Sequence, residues 1–236
     1  MSTILITGAN RGLGLEFARQ YATDGWEVLA TSRWPEKSTE LNQYAVQHPT
    51  ILLHRLDVTD DKSVRDLADK LEGKPIDILL HNSGIYPREG QHIGEIDYEG
   101  WREALETNLL GVMRVTEALL ENIAASQHKQ IAAISTSLSS LRGVQNGSVA
   151  QAGTSYQYRS SKTALNMALS ILARELEVRG ISVVLLDPGW VKTDMGGAHA
   201  PLSPQESIAG MRKVLSGNPM EISGKFLGHD GTLRPW

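Results

Sequence analysis

The sequence predicts an α/β fold, a single domain over residues 1–236 built on a doubly wound parallel sheet of about seven strands with helices on both faces. Three observations predict it. Short apolar runs alternate with segments of helical period along the whole chain. The composition, 41% hydrophobic in 236 residues and 25.8 kDa, supplies one sizeable core, and no repeat, linker or low-complexity stretch divides it. A glycine-rich turn, TGANRGLG at 7–14, lies between the first apolar run and the first helical pattern.

Taken in order, Ile4, Leu5 and Ile6 form a β-branched-rich run near 3–7, and Leu13, Phe17, Ala18 and Tyr21 then recur at helical spacing. Further strands are expected near 27–32, 50–56, 76–81, 130–135, 181–187 and 224–227. Leu165, Leu169, Leu172 and Leu176 mark one long helix. This strand and helix alternation requires a parallel sheet covered on both sides. Three irregular stretches, roughly 83–98, 138–155 and 190–205, follow the ends of strands four, five and six. In doubly wound sheets ligands bind outside those carboxyl ends, so these stretches are expected to touch substrate.

Composition narrows the function. Net charge is -4 with a pI near 6.0 and no basic stripe, which argues against nucleic-acid binding. The absence of cysteine excludes disulfides, thiolate catalysis and cysteine-ligated zinc. No apolar run approaches ~18 residues, and the first strand begins too early for a cleavable signal. A soluble, cytoplasmic protein without membrane association is the expectation. HExxH pairs, a glycine-serine-glycine elbow and a phosphate-loop lysine are all missing, so no metal, serine-hydrolase or triphosphate site is expected.

Two segments carry chemistry. In the first, Gly8, Gly12 and Gly14 let the backbone turn tightly, approach a pyrophosphate and pack a helix on its strand, with N–H groups of the helix start facing the anion. The segment reads as a Rossmann-type dinucleotide clamp or as a tight strand-to-helix turn of another α/β protein, and its glycine spacing departs from the general fingerprint. In the second, YRSSK at 158–162, Tyr158 and Lys162 share one helix face. Moving a phenol from pKa ~10 to about 7.5 requires ~3.4 kcal/mol. An ammonium at roughly 5 Å contributes ~0.8 kcal/mol in water but ~3.3 kcal/mol at an effective dielectric of 20, so the pair matters only in a partly dehydrated cleft.

The order and separation of these segments resemble the short-chain dehydrogenase/reductase family. Further matches arrive in the family's order: Asp57 and Val58 after the third apolar run, HNSG at 81–84 after the fourth, Asn108 in ETNLLG, and DPGWVKT at 187–193 after the sixth. Within the family, YRSSKTALN at 158–166 and a final Pro235 and Trp236 are similar to C-factor-like and sniffer-like carbonyl reductases. The resemblance implies hydride transfer between a nicotinamide dinucleotide and a small carbonyl or alcohol, with Tyr158 as proton donor or acceptor. Lys162 would lower the tyrosine pKa and hold the nicotinamide ribose, and Asn108 would tie a water to that lysine. Gly8, Asn10, Arg11, Gly12, Leu13 and Gly14 would hold the pyrophosphate side, Asp57, Val58, Asn82, Ser83 and Gly84 the adenine side. Pro188, Gly189, Val191 and Thr193 would cap the nicotinamide. His81 and Ser83 depart from the family's usual Asn and Ala. For the hydroxyl that orients the substrate carbonyl, counting from Ile134 favours Thr136, yet Ser137 would serve if the strand carries a bulge.

Cofactor choice is read after the second strand, where an acidic residue would bond a ribose 2′-hydroxyl. Ser32 and Arg33 stand there instead, and Arg33 with Arg11 can pair with a 2′-phosphate, which favours NADP(H) over NAD(H). Glu36 is near enough in sequence to neutralise Arg33. The competing class is a dinucleotide-binding regulator or signalling protein of the C-factor type, which needs the clamp but not Tyr158, Lys162 and Asn108. Dehydratase or epimerase chemistry fits the short C-terminal region less well. The resemblance also implies a homodimer or homotetramer, because the helices of Asn108 and Tyr158 carry apolar Leu109, Val112, Met113, Met167 and Ile171 on more than one side.

Overall fold

The computed structural model describes residues 1–88, 92–148 and 155–236. Seven strands, β1 (Thr3–Ile6), β2 (Glu27–Ser32), β3 (Ile51–Arg55), β4 (Ile78–His81), β5 (Gln130–Ile134), β6 (Ser182–Asp187) and β7 (Phe226–Gly228), lie in the order β3-β2-β1-β4-β5-β6-β7. Every neighbouring pair is parallel. The order reverses between β1 and β4, the crevice in which doubly wound sheets bind ligands.

Alternation along the strands divides the core into two layers. Leu5, Leu29, Leu79, Ile131, Val183 and Leu185 face one side. There they meet Val64 and Leu67 of α3 (Asp61–Lys70), Val112 and Val115 of α5 (Gly111–Ala118), and Leu165, Leu169, Leu172 and Leu176 of α8 (Tyr156–Leu176). Ile4, Ile6, Val28, Ala30, Ile78, Leu80, Val184 and Leu186 face the other, against Phe17, Ala18 and Tyr21 of α1 (Gly12–Thr23), Leu41 of α2 (Thr39–Gln47), and Ile208, Met211 and Leu215 of α9 (Pro204–Leu215). Short helices α4 (Tyr98–Leu105), α6 (Leu120–Ala124), α7 (Leu141–Gln145) and α10 (Pro219–Ile222) complete the element order.

Helix starts are set locally. Asp60 accepts from Lys62 N–H, Asp97 from Glu99 N–H and Ser155 from Tyr158 N–H, and Ser203 forms a reciprocal capping box with Glu206 behind Pro204. Helix α1 differs: Arg11 gives it no side-chain cap, so its first-turn N–H groups are left for another acceptor. Between α4 and α5 the chain makes one π-helical turn, Glu106–Leu110, in which Gly111 N–H donates to Glu106 O. That turn carries Asn108.

The stretch expected to be irregular over 138–155 is partly helical: Ser137–Ser139 forms a 3-10 turn and α7 follows. Five-residue helices are too short to show a hydrophobic period. Residues 149–154 of this stretch, and 89–91 of the expected 83–98 loop, lie outside the described residues.

His81, at the end of β4, is buried with Nε2 2.8 Å from Thr116 Oγ1. Burial first, and then the Lys162 charge, push its pKa from 6.5 down to about 3. As pH falls below 6.5 the unfolded chain takes up this proton and the folded one does not, so stability is lost progressively toward pH 3. Between pH 7 and about pH 4.5 the wild type should therefore lose about 1–3 kcal/mol more than His81→Asn in urea unfolding. Equal losses in the two proteins would show that His81 is not held neutral.

Candidate active site

The carboxyl ends of the strands converge on one edge, and side chains there tie the loops together. Thr7 Oγ1 accepts from Asn82 N–H and from Ser83 N–H, each at 3.0 Å. Asn82 Nδ2 donates to the main-chain oxygens of Thr7 at 3.0 Å and Gly8 at 2.9 Å. The glycine turn is thereby fastened to the end of β4. Gly8 has φ +69, and a Cβ on it would stand 2.8 Å from Ser83 Oγ; a Cβ on Gly14 would collide with Gly8 O. At Gly8 and Gly14 the turn has no room for a side chain, so its backbone stays open to close approach by an anion.

The segment after β6 folds back onto this turn. Pro188 is buried and its carbonyl accepts from Ser207 Oγ, while Val191 pairs with Leu202. Thr193 Oγ1 accepts from Gly196 N–H at 3.1 Å, and its methyl comes within 3.7 Å of the position a Cβ on Gly12 would take. Arg11 pairs with Asp194 at 2.8 Å, with 71% and 79% of the two side chains exposed. The cation expected to be free for a phosphate is thus shared with a carboxylate, in a pair worth no more than about 1 kcal/mol at such exposure. Asn10 and Leu13 are half-buried beside it.

At the end of β2, Ser32 is buried and bonded to Ser38, and Arg33 is exposed. No ion pair joins Arg33 to Glu36 among the described residues. The neighbouring Trp34 ring lies between Lys37, 5.1 Å from its centroid, and Arg55, at 5.4 Å. Three cations therefore cluster here, none of which the sequence reading linked beyond Arg33. Asp57 is committed to Thr59, its Oδ1 accepting from the Thr59 N–H at 3.0 Å and hydroxyl at 2.7 Å. Val58 packs under Gly111, where a Cβ would stand 2.8 Å from its methyl.

The expected acid-base group is buried on α8. Tyr158 and Lys162 are 8% and 4% exposed. Thr136, in extended conformation just past β5, is hydrogen-bonded to the phenol, and Tyr86 packs its ring 4.7 Å from that of Tyr158. Ser137 instead turns its N–H to Asp187 Oδ1 at 3.2 Å. Of the two candidate hydroxyls, geometry brings Thr136 to the tyrosine. A buried network holds that segment: Ser135 Oγ donates to Asn166 Oδ1 at 2.6 Å, Asn166 Nδ2 to Ser139 Oγ at 2.8 Å, and Ser139 Oγ to Thr136 O at 2.6 Å.

Lys162 Nζ donates to Ile134 O at 2.8 Å, and burial lowers its pKa to about 8. Asn108 is fully buried; its Oδ1 accepts from Ile85 N–H and its Nδ2 donates to Ile85 O and Ser161 Oγ. Its side chain therefore fixes the turn after Gly84, and a Cβ at Gly84 would lie 3.4 Å from Lys162 Nζ. The expected lowering of the phenol pKa is not what this arrangement produces. Burial, Asp187 and Tyr86 push Tyr158 well above the usual phenol range, against a smaller opposite effect of the Thr136 bond. The ammonium is directed at a carbonyl, so it does not offset that burial.

Sequence reasoning missed Thr7, Tyr86, Asn166 and the ion pair of Asp187 with Arg234 (2.9 Å). The serine run and the DPG motif pointed to their neighbourhood only.

With this geometry in hand, comparison with known proteins is direct. The model of the short chain dehydrogenase family matches residues 2–201. The C-signal of Myxococcus xanthus is 36% identical over 173 residues, covering 73% of this chain and 100% of that protein. The NADPH-bound carbonyl reductase from chicken fatty liver superposes with a TM-score of 0.92 at 32% identity, covering 100% of this chain and 99% of the other. The carbonyl reductase Sniffer of D. melanogaster does so with 0.91 at 30%, covering 100% of both. On this fold the chain belongs to the short-chain dehydrogenase family and is an oxidoreductase.

Proposed function

We propose that the protein is an NADPH-dependent reductase of a small carbonyl compound. The arrangement that carries this reading is the buried Tyr158 with Thr136 beside its phenol and Lys162 one turn further along the same helix. A carbonyl oxygen seated between the two hydroxyls meets a donor that holds its proton at neutral pH, and Thr136 fixes the direction of approach. Bound cofactor supplies the hydride. As the carbonyl oxygen gains charge, Tyr158 transfers its proton to it. Lys162, a buried cation one turn further along the same helix, favours the negative charge that develops on the substrate oxygen. The likeness to the C-signal supports a signalling role as a second reading, but a sensor has no use for a donor pair of this kind.

The residues fit the cofactor. The side-chain-free cradle at Gly8, Gly12 and Gly14 suits a pyrophosphate, and the cations at the end of β2 suit a 2′-phosphate. The reading that the chain forms a homodimer or homotetramer rests on helix faces left uncovered: Leu110 is 47%, Met167 64% and Ile171 60% exposed.

Four outcomes test these statements. Tyr158→Phe should keep NADPH affinity and lose turnover by a factor of about 10²–10⁴, followed as NADPH consumption with a panel of aldehydes, ketones and quinones. Thr136→Ala should fall further than Ser137→Ala; the reverse order would give the carbonyl-orienting role to Ser137. Arg33→Asp should reduce the ratio of NADPH to NADH affinity at least roughly tenfold, since a charge-assisted contact of ~1.5–3 kcal/mol is replaced by repulsion. An unchanged ratio would remove Arg33 from phosphate recognition, and a wild type preferring NADH would overturn the NADP assignment. In sedimentation the protein should run as a dimer or tetramer at micromolar concentration, and a monomer of 25.8 kDa would contradict the assembly.

A further inference from the structure

We propose that Arg234, from the turn after β7, is a positioning residue for the Thr136 and Tyr158 pair and acts through the carboxylate of Asp187. The inference rests on the acid-base reading of Tyr158 given above.

Asp187 ends β6 and is 3% exposed. Its Oδ1 accepts from Ser137 N–H at 3.2 Å and Gly189 N–H at 3.3 Å, and its Oδ2 from Arg234 Nε at 2.9 Å. One carboxylate thus joins the segment of Thr136 to the segment of Pro188 and Gly189, and the arginine fixes its orientation. The arginine is itself held. Its main-chain N–H donates to Phe226 O at 2.8 Å and its Nη1 to Thr232 Oγ1 at 2.7 Å, while Nη2 lies 3.4 Å from Asp230 Oδ1. The guanidinium packs over Gly228, where any Cβ would collide with it. Two residues on, the main-chain oxygen of Trp236 accepts from Arg142 N–H at 3.0 Å and from Ser140 Oγ at 3.1 Å, and its ring packs 5.7 Å from Phe226. The strap from Arg234 to Trp236 therefore grips the segment after β5 at both ends, at Ser137 and at Ser140 and Arg142. Thr136 sits immediately before the first grip.

Electrostatics gives the strap a second effect. Among the described residues, the titratable groups around the Tyr158 phenol are Tyr86 from the segment after β4, Asp187 from β6 and Lys162 from its own helix. Behind Asp187 stand Arg234, Asp230 and His229, the last donating its main-chain N–H to Asp187 O. The Asp187 charge opposes ionisation of Tyr158, and Arg234 is the ion-pair partner that offsets it. Removing the arginine leaves an unpaired buried carboxylate next to the proton donor.

Alcohol oxidation reads this directly, because it needs Tyr158 to release its proton. In Arg234→Met the acidic limb of the kcat profile should move up by roughly one pH unit or more, with NADPH affinity unchanged. Arg234→Lys should return the limb to its wild-type position, since the cation is restored. Where Arg234→Met does not fold, the lysine variant and the double variant Asp187→Asn/Arg234→Met decide. With neither charge present, the limb of the double variant should lie below that of wild type. A wild-type limb in Arg234→Met, a raised limb in the lysine variant, or a double variant at or above wild type would each overturn the proposal. Tyr158→Phe run alongside separates the two levels: full activity there sinks the acid-base reading, whereas an inactive Tyr158→Phe beside an unaffected Arg234→Met sinks the strap alone.

Discussion

All seven strands run the same way, so every chain exit on the carboxyl side falls on one edge of the sheet, where the pairing of main-chain groups stops. The N–H and C=O groups stranded there need partners, and an unmet one costs about 1–3 kcal/mol. Side chains supply them in this protein. Thr7 takes the N–H groups of Asn82 and Ser83, Asn82 meets two carbonyls of the glycine turn, Asn108 satisfies both groups of Ile85, and Asp187 takes those of Ser137 and Gly189. The residues that let the fold end its strands are the residues that shape the cleft. Stability and site geometry therefore share the same hydrogen bonds, and few of these positions can vary for one without affecting the other.

Charge inside the cleft is arranged with the same economy. Asp187 is paired with Arg234, whereas Lys162 is held by a carbonyl dipole. The buried ammonium leaves positive potential near Gly84, on the side of the cleft away from the paired carboxylate's own contacts with Ser137 and Gly189. Such a site disfavours positive ligands and stabilises an oxygen that is gaining electrons. The raised phenol pKa works in the same direction. A donor that keeps its proton at neutral pH is ready to protonate an alkoxide as it forms, while the reverse reaction must first remove that proton against burial and Asp187.

Much of this was legible in the sequence, for identifiable reasons. Strands buried on both faces leave unbroken apolar runs, so β2 agrees with its expected bounds and β1 and β5 differ by one residue. Helix α8 was legible because its leucines repeat every three or four residues over about three turns. The π turn at Asn108 left no mark, because one extra residue in a helix shifts the apolar phase only slightly. Thr136 and Ser137 could not be separated by counting, since a single bulge exchanges their directions; the extended Thr136 and the 3-10 turn starting at Ser137 exist only in the folded chain. The pair of Asp187 and Arg234 spans 47 positions and belongs to no local pattern. Long-range polar contacts of this kind are visible only once the chain has folded.

The two halves of the proposed activity lie in different dielectric settings, and this determines how sharply each can discriminate. Arg33, Lys37 and Arg55 gather at the exposed end of β2, where salt screens charges over about 8–10 Å. Recognition of a phosphate there is worth one or two decades of affinity and weakens with ionic strength. Tyr158 and Lys162 are buried and Thr136 is half-buried, so their interactions are stronger and less dependent on salt. A single surface substitution can therefore shift cofactor preference with little effect on the chemistry. Changing the proton transfer requires altering buried groups whose hydrogen bonds also hold the carboxyl edge of the sheet together, which is a much larger perturbation for the fold.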